Sequence, residues 1–161
     1  YEQLISVFED LWASKRNVNL TIVGKMGWNS KHLAEKIKNH PQRGRRLFWK
    51  SSVTDEELVA LYSSADALIS NSSGEGFGLP VLEAKSVGLP TLVRDIPIYR
   101  ELFPDSFFLD GTSTVSIRNG VEDWLEGSRG SSRVLPEHPY GWASISVAGE
   151  LAQFLRHADS K

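Results

Sequence analysis

Short apolar runs at 19–23, 47–49, 67–70, 90–93 and 106–109 alternate with amphipathic stretches, and no other feature limits the possible folds so strongly. The runs carry residues that suit strands, from Leu20-Thr21-Ile22-Val23 to Phe107-Phe108-Leu109. Between them, Leu33 and Ile37, then Leu58, Val59, Leu61 and Tyr62, then Val81, Leu82 and Ala84 recur at helical spacing. Strand, helix, strand in repetition predicts an α/β domain with a doubly wound parallel sheet and helices on both faces. In such a sheet, ligands bind beyond the carboxyl ends of the strands.

Local signals place the helix starts. Thr54 before Asp55-Glu56-Glu57 has the spacing of a capping box, so the acidic triplet reads as a helix start and not as catalytic carboxylates. Ser30 is placed to cap a helix over 31–38. The stretch 1–12 is amphipathic through Leu4, Ile5, Phe8, Leu11 and Trp12. Residues 127–140, with Ser-Arg-Gly-Ser-Ser-Arg and two prolines, read as an extended loop, and 142–157 as a C-terminal helix with Val147, Leu151, Phe154 and Leu155 on one face.

Composition narrows the function classes. A chain of 161 residues is one domain with room for a full core. Its net charge of −2 offers no electrostatic reason to propose a nucleic-acid partner. With no cysteine there are no disulfides or thiolate metal sites, and the histidines have no metal-ligand spacing, so no metal is expected. No run of apolar residues reaches membrane-spanning length and no signal peptide is evident; the expected location is cytoplasmic.

The chemistry concentrates in 74–84, Gly-Glu-Gly-Phe-Gly-Leu-Pro-Val-Leu-Glu-Ala. The apolar run 67–70 ends in Asn71-Ser72-Ser73, three alternating glycines follow, and Pro80 stands where the first turn of a helix begins. A strand, a glycine-rich turn and a helix N-terminus expose backbone N–H groups that favour an anion such as a phosphate. Glycines let that backbone approach the ligand closely. The diphosphate being held by main chain, Glu75 and Glu83 are left as acceptors for sugar hydroxyls, which describes a nucleotide sugar.

This stretch resembles the glutamate pair and glycine loop of retaining glycosyltransferases of the GT-B architecture, in the group 1 (family 4) type that includes bacterial enzymes of polysaccharide synthesis. Further segments agree in order: Leu20-Thr21-Ile22-Val23-Gly24, Asp55-Glu56-Glu57-Leu58 with Leu61-Tyr62, Gly88-Leu89-Pro90, and Arg94-Asp95-Ile96-Pro97 with Arg100-Glu101. The likeness covers roughly residues 1–125. It implies the Rossmann-like C-terminal, donor-binding domain of an enzyme that transfers a hexose from a nucleoside-diphosphate sugar to an acceptor hydroxyl, in bacterial polysaccharide or glycolipid synthesis. The donor is a substrate, and no separate cofactor is implied. The resemblance puts Glu75 by the transferred sugar as the catalytic carboxylate and Glu83 on the ribose hydroxyls, with the backbone of Gly76, Phe77, Gly78 and Leu79 at the sugar and distal phosphate. Gly24, Lys25, Lys50 and Val53 would line the nucleotide side.

The family also departs from this chain. Its donor domain opens with a strand and a turn carrying a lysine and often an arginine, which contact the diphosphate; residues 1–12 read as a helix instead. The N-terminal domain that binds a glycan or lipid-linked acceptor has no counterpart here, so the expectation is a fragment lacking its first strand and that domain. A non-catalytic nucleotide-sugar-binding module is the alternative; an epimerase-like enzyme finds no supporting set of residues. Trp49 suits either core or a platform for the base, and Phe77 either core or ligand contact. For Arg94-Asp95, and likewise for Arg100-Glu101, a structural ion pair is expected. The basic run Arg43-Gly44-Arg45-Arg46 reads as a solvated helix exit that could face an anionic membrane in the intact enzyme, associating peripherally with its inner face.

Overall fold

The computed structural model describes residues 1–25, 31–130 and 144–148. The elements run α1 (Glu2–Ala13), β1 (Asn19–Val23), α2 (Lys31–Lys38), β2 (Leu47–Lys50), α3 (Asp55–Ser64), β3 (Ala67–Ser70), α4 (Leu79–Ser86), β4 (Thr91–Arg94), α5 (Pro97–Leu102), β5 (Phe107–Leu109), α6 (Thr114–Gly130) and β6 (Ser144–Ala148). The strands form one six-stranded sheet in the order β2-β1-β6-β3-β4-β5, parallel at every pairing. Chain progression turns one way from β1 to β2 and the other way from β3 through β5, so the sheet is doubly wound as the alternation predicts.

Consecutive strand residues point to opposite faces, and each face carries its own core. On one side Leu20, Ile22, Ala67, Ile69, Leu92 and Leu109 pack with α1, α2 and α6. On the other, Val23, Leu68 and Val93 pack with α3, α4 and α5. This two-sided burial is why the strands read as nearly continuous apolar runs rather than as alternating ones. Thr54 closes α3 with the predicted capping box: its side chain accepts from Glu57 N, and the Glu57 carboxylate accepts from Thr54 N at 2.8 Å. Ser30 lies outside the described residues.

Two expectations at the C-terminal end need correction. The loop expected over 127–140 is helical at its start, because α6 continues to Gly130; the rest of that expectation lies outside the described residues. Ile117, Val121 and Leu125 are buried one helical turn apart, and Arg16 ties the end of α1 to Glu122 and Glu126 on this helix. The helix expected over 142–157 is a strand at Ser144–Ala148, lying between β1 and β3; the remainder of that expectation falls outside the described residues. The cause is tertiary. β1 and β3 are buried strands whose inner edges need hydrogen-bond partners, and a short segment with apolar residues at every second position meets that need despite the helical spacing further on.

Candidate functional site

Because all strands run the same way, the loops after β1, β2 and β3 emerge at one edge of the sheet, where the order reverses and β6 ends between them. At the β1 side Gly24 donates its N–H to the Lys50 carbonyl at 3.0 Å, joining the ends of β1 and β2. The Trp49 indole N–H donates to the Gly24 carbonyl at 3.0 Å while its ring packs on the first core, so this tryptophan braces the loop from below. Lys25 and Lys50 are exposed at this edge, and Val53 is half-buried against the second core. Tyr1, Ile22, Val23, Gly24, Lys25, Leu33 and Trp49 enclose a small cleft here.

The β3 side carries the glycine loop. Ser72 donates its hydroxyl to the Gly74 carbonyl at 2.8 Å, which curls the chain as it leaves the strand. Glu75 and Gly76 are exposed and Phe77 is 48% exposed, so Phe77 is not a core residue. Gly78 turns the chain into α4 from the left-handed region, at φ 73° and ψ 47°, with no side-chain cap on the helix. Leu79 and Pro80 follow, and the proline ring supplies no N–H. Val81 and Leu82 turn their N–H groups in to the Gly78 carbonyl at 2.9 and 3.1 Å, so what α4 presents to the same edge of the sheet is its dipole and the turn at Gly78 and Leu79.

Tyr99 supports this turn. Its ring is fully buried on α5 directly beneath Gly78, and its hydroxyl lies 2.7 Å from Ser70 Oγ at the end of β3. Burial first, and the nearby Glu75 charge, push its phenol up to about 12 against the opposing pull of the Ser70 hydrogen bond. Glu83 projects half-buried from the second turn of α4, where the Tyr62 hydroxyl donates to its Oε2 at 3.1 Å. Tyr62 itself is buried on α3, and desolvation together with the Glu83 charge raises its phenol well above the ordinary range.

All the expected site residues thus lie along one edge. Gly24, Lys25, Lys50 and Val53 stand on the β1–β2 side; Glu75, Gly76, Phe77, Gly78, Leu79 and Glu83 stand on the β3–α4 side. The supporting tyrosines are the part that sequence patterns did not reveal. Tyr62 stood in a motif without a role, and only its position one turn after Leu58 on a buried helix face hinted that its hydroxyl would need a partner. Arg94 donates to the Gly111 carbonyl at 2.7 Å, and Arg100 makes a two-pronged ion pair with Asp95 at 2.7 and 2.6 Å while lying over the Phe108 ring. Arg100 is thus held in a structural ion pair, as expected, though with Asp95, whereas Arg94 is tied to main chain. Arg43 donates to the Lys38 carbonyl at the end of α2, consistent with a helix exit.

Among the described residues, no cluster of His, Cys, Asp or Glu could hold a metal ion, and no helix is long and apolar enough to cross a membrane. A larger cleft opens at the opposite edge, by the amino ends of β4 and β5, where Lys85 and Asp105 pair at 2.8 Å. It is remote from the glycine loop.

The model of the family "Glycosyl transferases group 1" matches residues 1–134. The chain is 45% identical over 126 residues to the serotype-specific mannosyltransferase WbdA of Escherichia coli, which covers 78% of this chain and 16% of that protein. It is 34% identical over 90 residues to the O-antigen chain mannosyltransferase B of Escherichia coli, covering 54% of this chain and 23% of the relative. With the O-antigen chain mannosyltransferase RfbU of Salmonella typhimurium it shares 46% identity over 50 residues, 31% of this chain and 14% of the relative. The chain thus matches less than a quarter of the length of each of these relatives.

Proposed function

This chain belongs to the group 1 glycosyl transferases, and from that premise we propose that it carries the donor site of a retaining GT-B hexosyltransferase, as its C-terminal domain. The substrate is a nucleoside-diphosphate sugar, with mannose as the hexose on the strength of the relatives' names. The acceptor, a glycan or a lipid-linked saccharide of bacterial surface-polysaccharide synthesis, binds to a separate N-terminal domain. The intact enzyme works in the cytoplasm and touches the inner face of the membrane peripherally, a role in which the exposed Arg43 and Arg45 would take part. No cofactor beyond the sugar donor is proposed.

The observation that carries this reading is the uncapped N-terminus of α4, entered through left-handed Gly78 at the ligand edge of the sheet. The backbone of Gly76, Phe77, Gly78 and Leu79 at this turn suits the distal phosphate and the sugar hydroxyls. As the glycosidic bond breaks, negative charge grows on the departing diphosphate and positive charge on the sugar ring. The helix N-terminus stabilises the first, and the exposed Glu75 carboxylate stabilises the second. Glu83 accepts hydrogen bonds from the ribose, while Gly24, Lys25, Lys50 and Val53 line the nucleotide side.

Calorimetric titration with UDP, GDP and ADP tests the proposal. One nucleotide family is expected to bind saturably, and Glu83→Ala is expected to weaken it by about 1–3 kcal/mol, the loss typical of a charged hydrogen-bonding group. Binding unaffected by Glu83→Ala, or no binding of any of the three, would refute the donor-site reading.

A further inference from the structure

The Tyr62–Glu83 pair links a buried core helix to the carboxylate that the proposed donor site gives to the ribose, and a role for Tyr62 in binding rests on that assignment. Tyr62 Oη lies 3.1 Å from Glu83 Oε2 and 3.5 Å from the Pro80 carbonyl. A phenol has one proton to donate, and the shorter, charged acceptor takes it. The Tyr62 ring is 5% exposed and packs in the second core among residues including Leu58, Val81 and Leu89, so the hydroxyl is fixed in space. Glu83, by contrast, stands on a half-exposed helix face. A phenylalanine would fill the same volume, and the hydroxyl adds only a hold on the carboxylate.

We infer that Tyr62 is a positioning residue for ribose recognition: it anchors Oε2 of Glu83, so that Oε1 is set in one orientation for the sugar hydroxyls of a nucleoside diphosphate. The phenol remains a donor throughout the neutral range, because burial and the Glu83 charge both hold its proton in place. The carboxylate is thus oriented before the ligand arrives, and less rotamer freedom is lost on binding.

Tyr62→Phe tests this in calorimetry against whichever of UDP, GDP or ADP the chain binds, with the matching 2′-deoxynucleoside diphosphate as second probe. If Tyr62 orients Glu83, affinity for the ribonucleotide falls roughly three- to tenfold, the range for one net hydrogen bond. The preference for ribo- over deoxyribonucleotide narrows in Tyr62→Phe, is lost in Glu83→Ala, and the double variant is no weaker than Glu83→Ala alone. A role confined to packing would lower stability while leaving the ribose preference at its wild-type value, and that result overturns the inference while the donor-site reading stands. Should Glu83→Ala itself keep the wild-type affinity and preference, the donor-site reading falls and this inference with it.

Discussion

Gly78 stands directly on the Tyr99 ring: a Cβ at Gly78 would lie 2.6 Å from Tyr99 Cε1 and 3.3 Å from Phe103 Cε2. Neither aromatic can move far, since both are buried and pack against each other at 6.1 Å between ring centroids. The turn into α4 thus depends on glycine twice, through its left-handed backbone and through the absence of a side chain.

Gly78→Ala should accordingly cost about 2–4 kcal/mol, combining the left-handed penalty with overpacking. Gly74→Ala and Gly76→Ala, where an added Cβ meets nothing within 4 Å, should each cost under about 1 kcal/mol. Urea denaturation of the three variants checks the contrast. Equal losses at all three positions would contradict the close packing of Gly78 on Tyr99.

The buried tyrosines predict an alkaline loss of stability. Tyr99 is pushed up from 10.0 to about 12, and Tyr62 is raised as well. Above pH 10 the unfolded chain is stabilised by ionising its phenols, whereas the folded chain keeps both protonated. The contribution is therefore present in full below 10 and is lost as the pH rises from 10 towards 12. Denaturation midpoints measured across that window should fall less steeply for Tyr99→Phe than for the wild type. An identical slope would place the Tyr99 phenol in contact with solvent.

The central position of β6 makes a third prediction. Ser146 pairs with Thr21 of β1 and with Leu68 of β3, so a proline there removes a ladder donor from the middle of the sheet. Ser146→Pro should abolish the cooperative unfolding transition or lower its midpoint severely, by about 3 kcal/mol or more. Circular dichroism during urea titration is the measurement. A wild-type transition in this variant would show that the sheet does not need β6 between β1 and β3.

Much of the fold was legible locally. The strands β1 to β5 fall within a residue or so of the apolar runs, because strands buried on both faces must be apolar throughout. The capping box at Thr54 and the proline start of α4 were equally readable, since each depends on residues within one turn. α6 was missed although Ile117, Val121 and Leu125 repeat at helical spacing, and its polar residues, with Gly120 and Gly127, obscured that stripe.

The sequence by itself determined the alternation of strands and helices, the doubly wound class and the place of the glycine loop, because periodicity, capping and turn chemistry act between residues close in the chain. Only the tertiary structure decided that Ser144–Ala148 becomes the central strand, that Tyr99 bears Gly78 and that Tyr62 holds Glu83. These are contacts between residues about 20 to more than 120 positions apart. Their energies come from pairing buried strand edges and satisfying buried hydroxyls, demands that arise only once the sheet and its two cores have assembled.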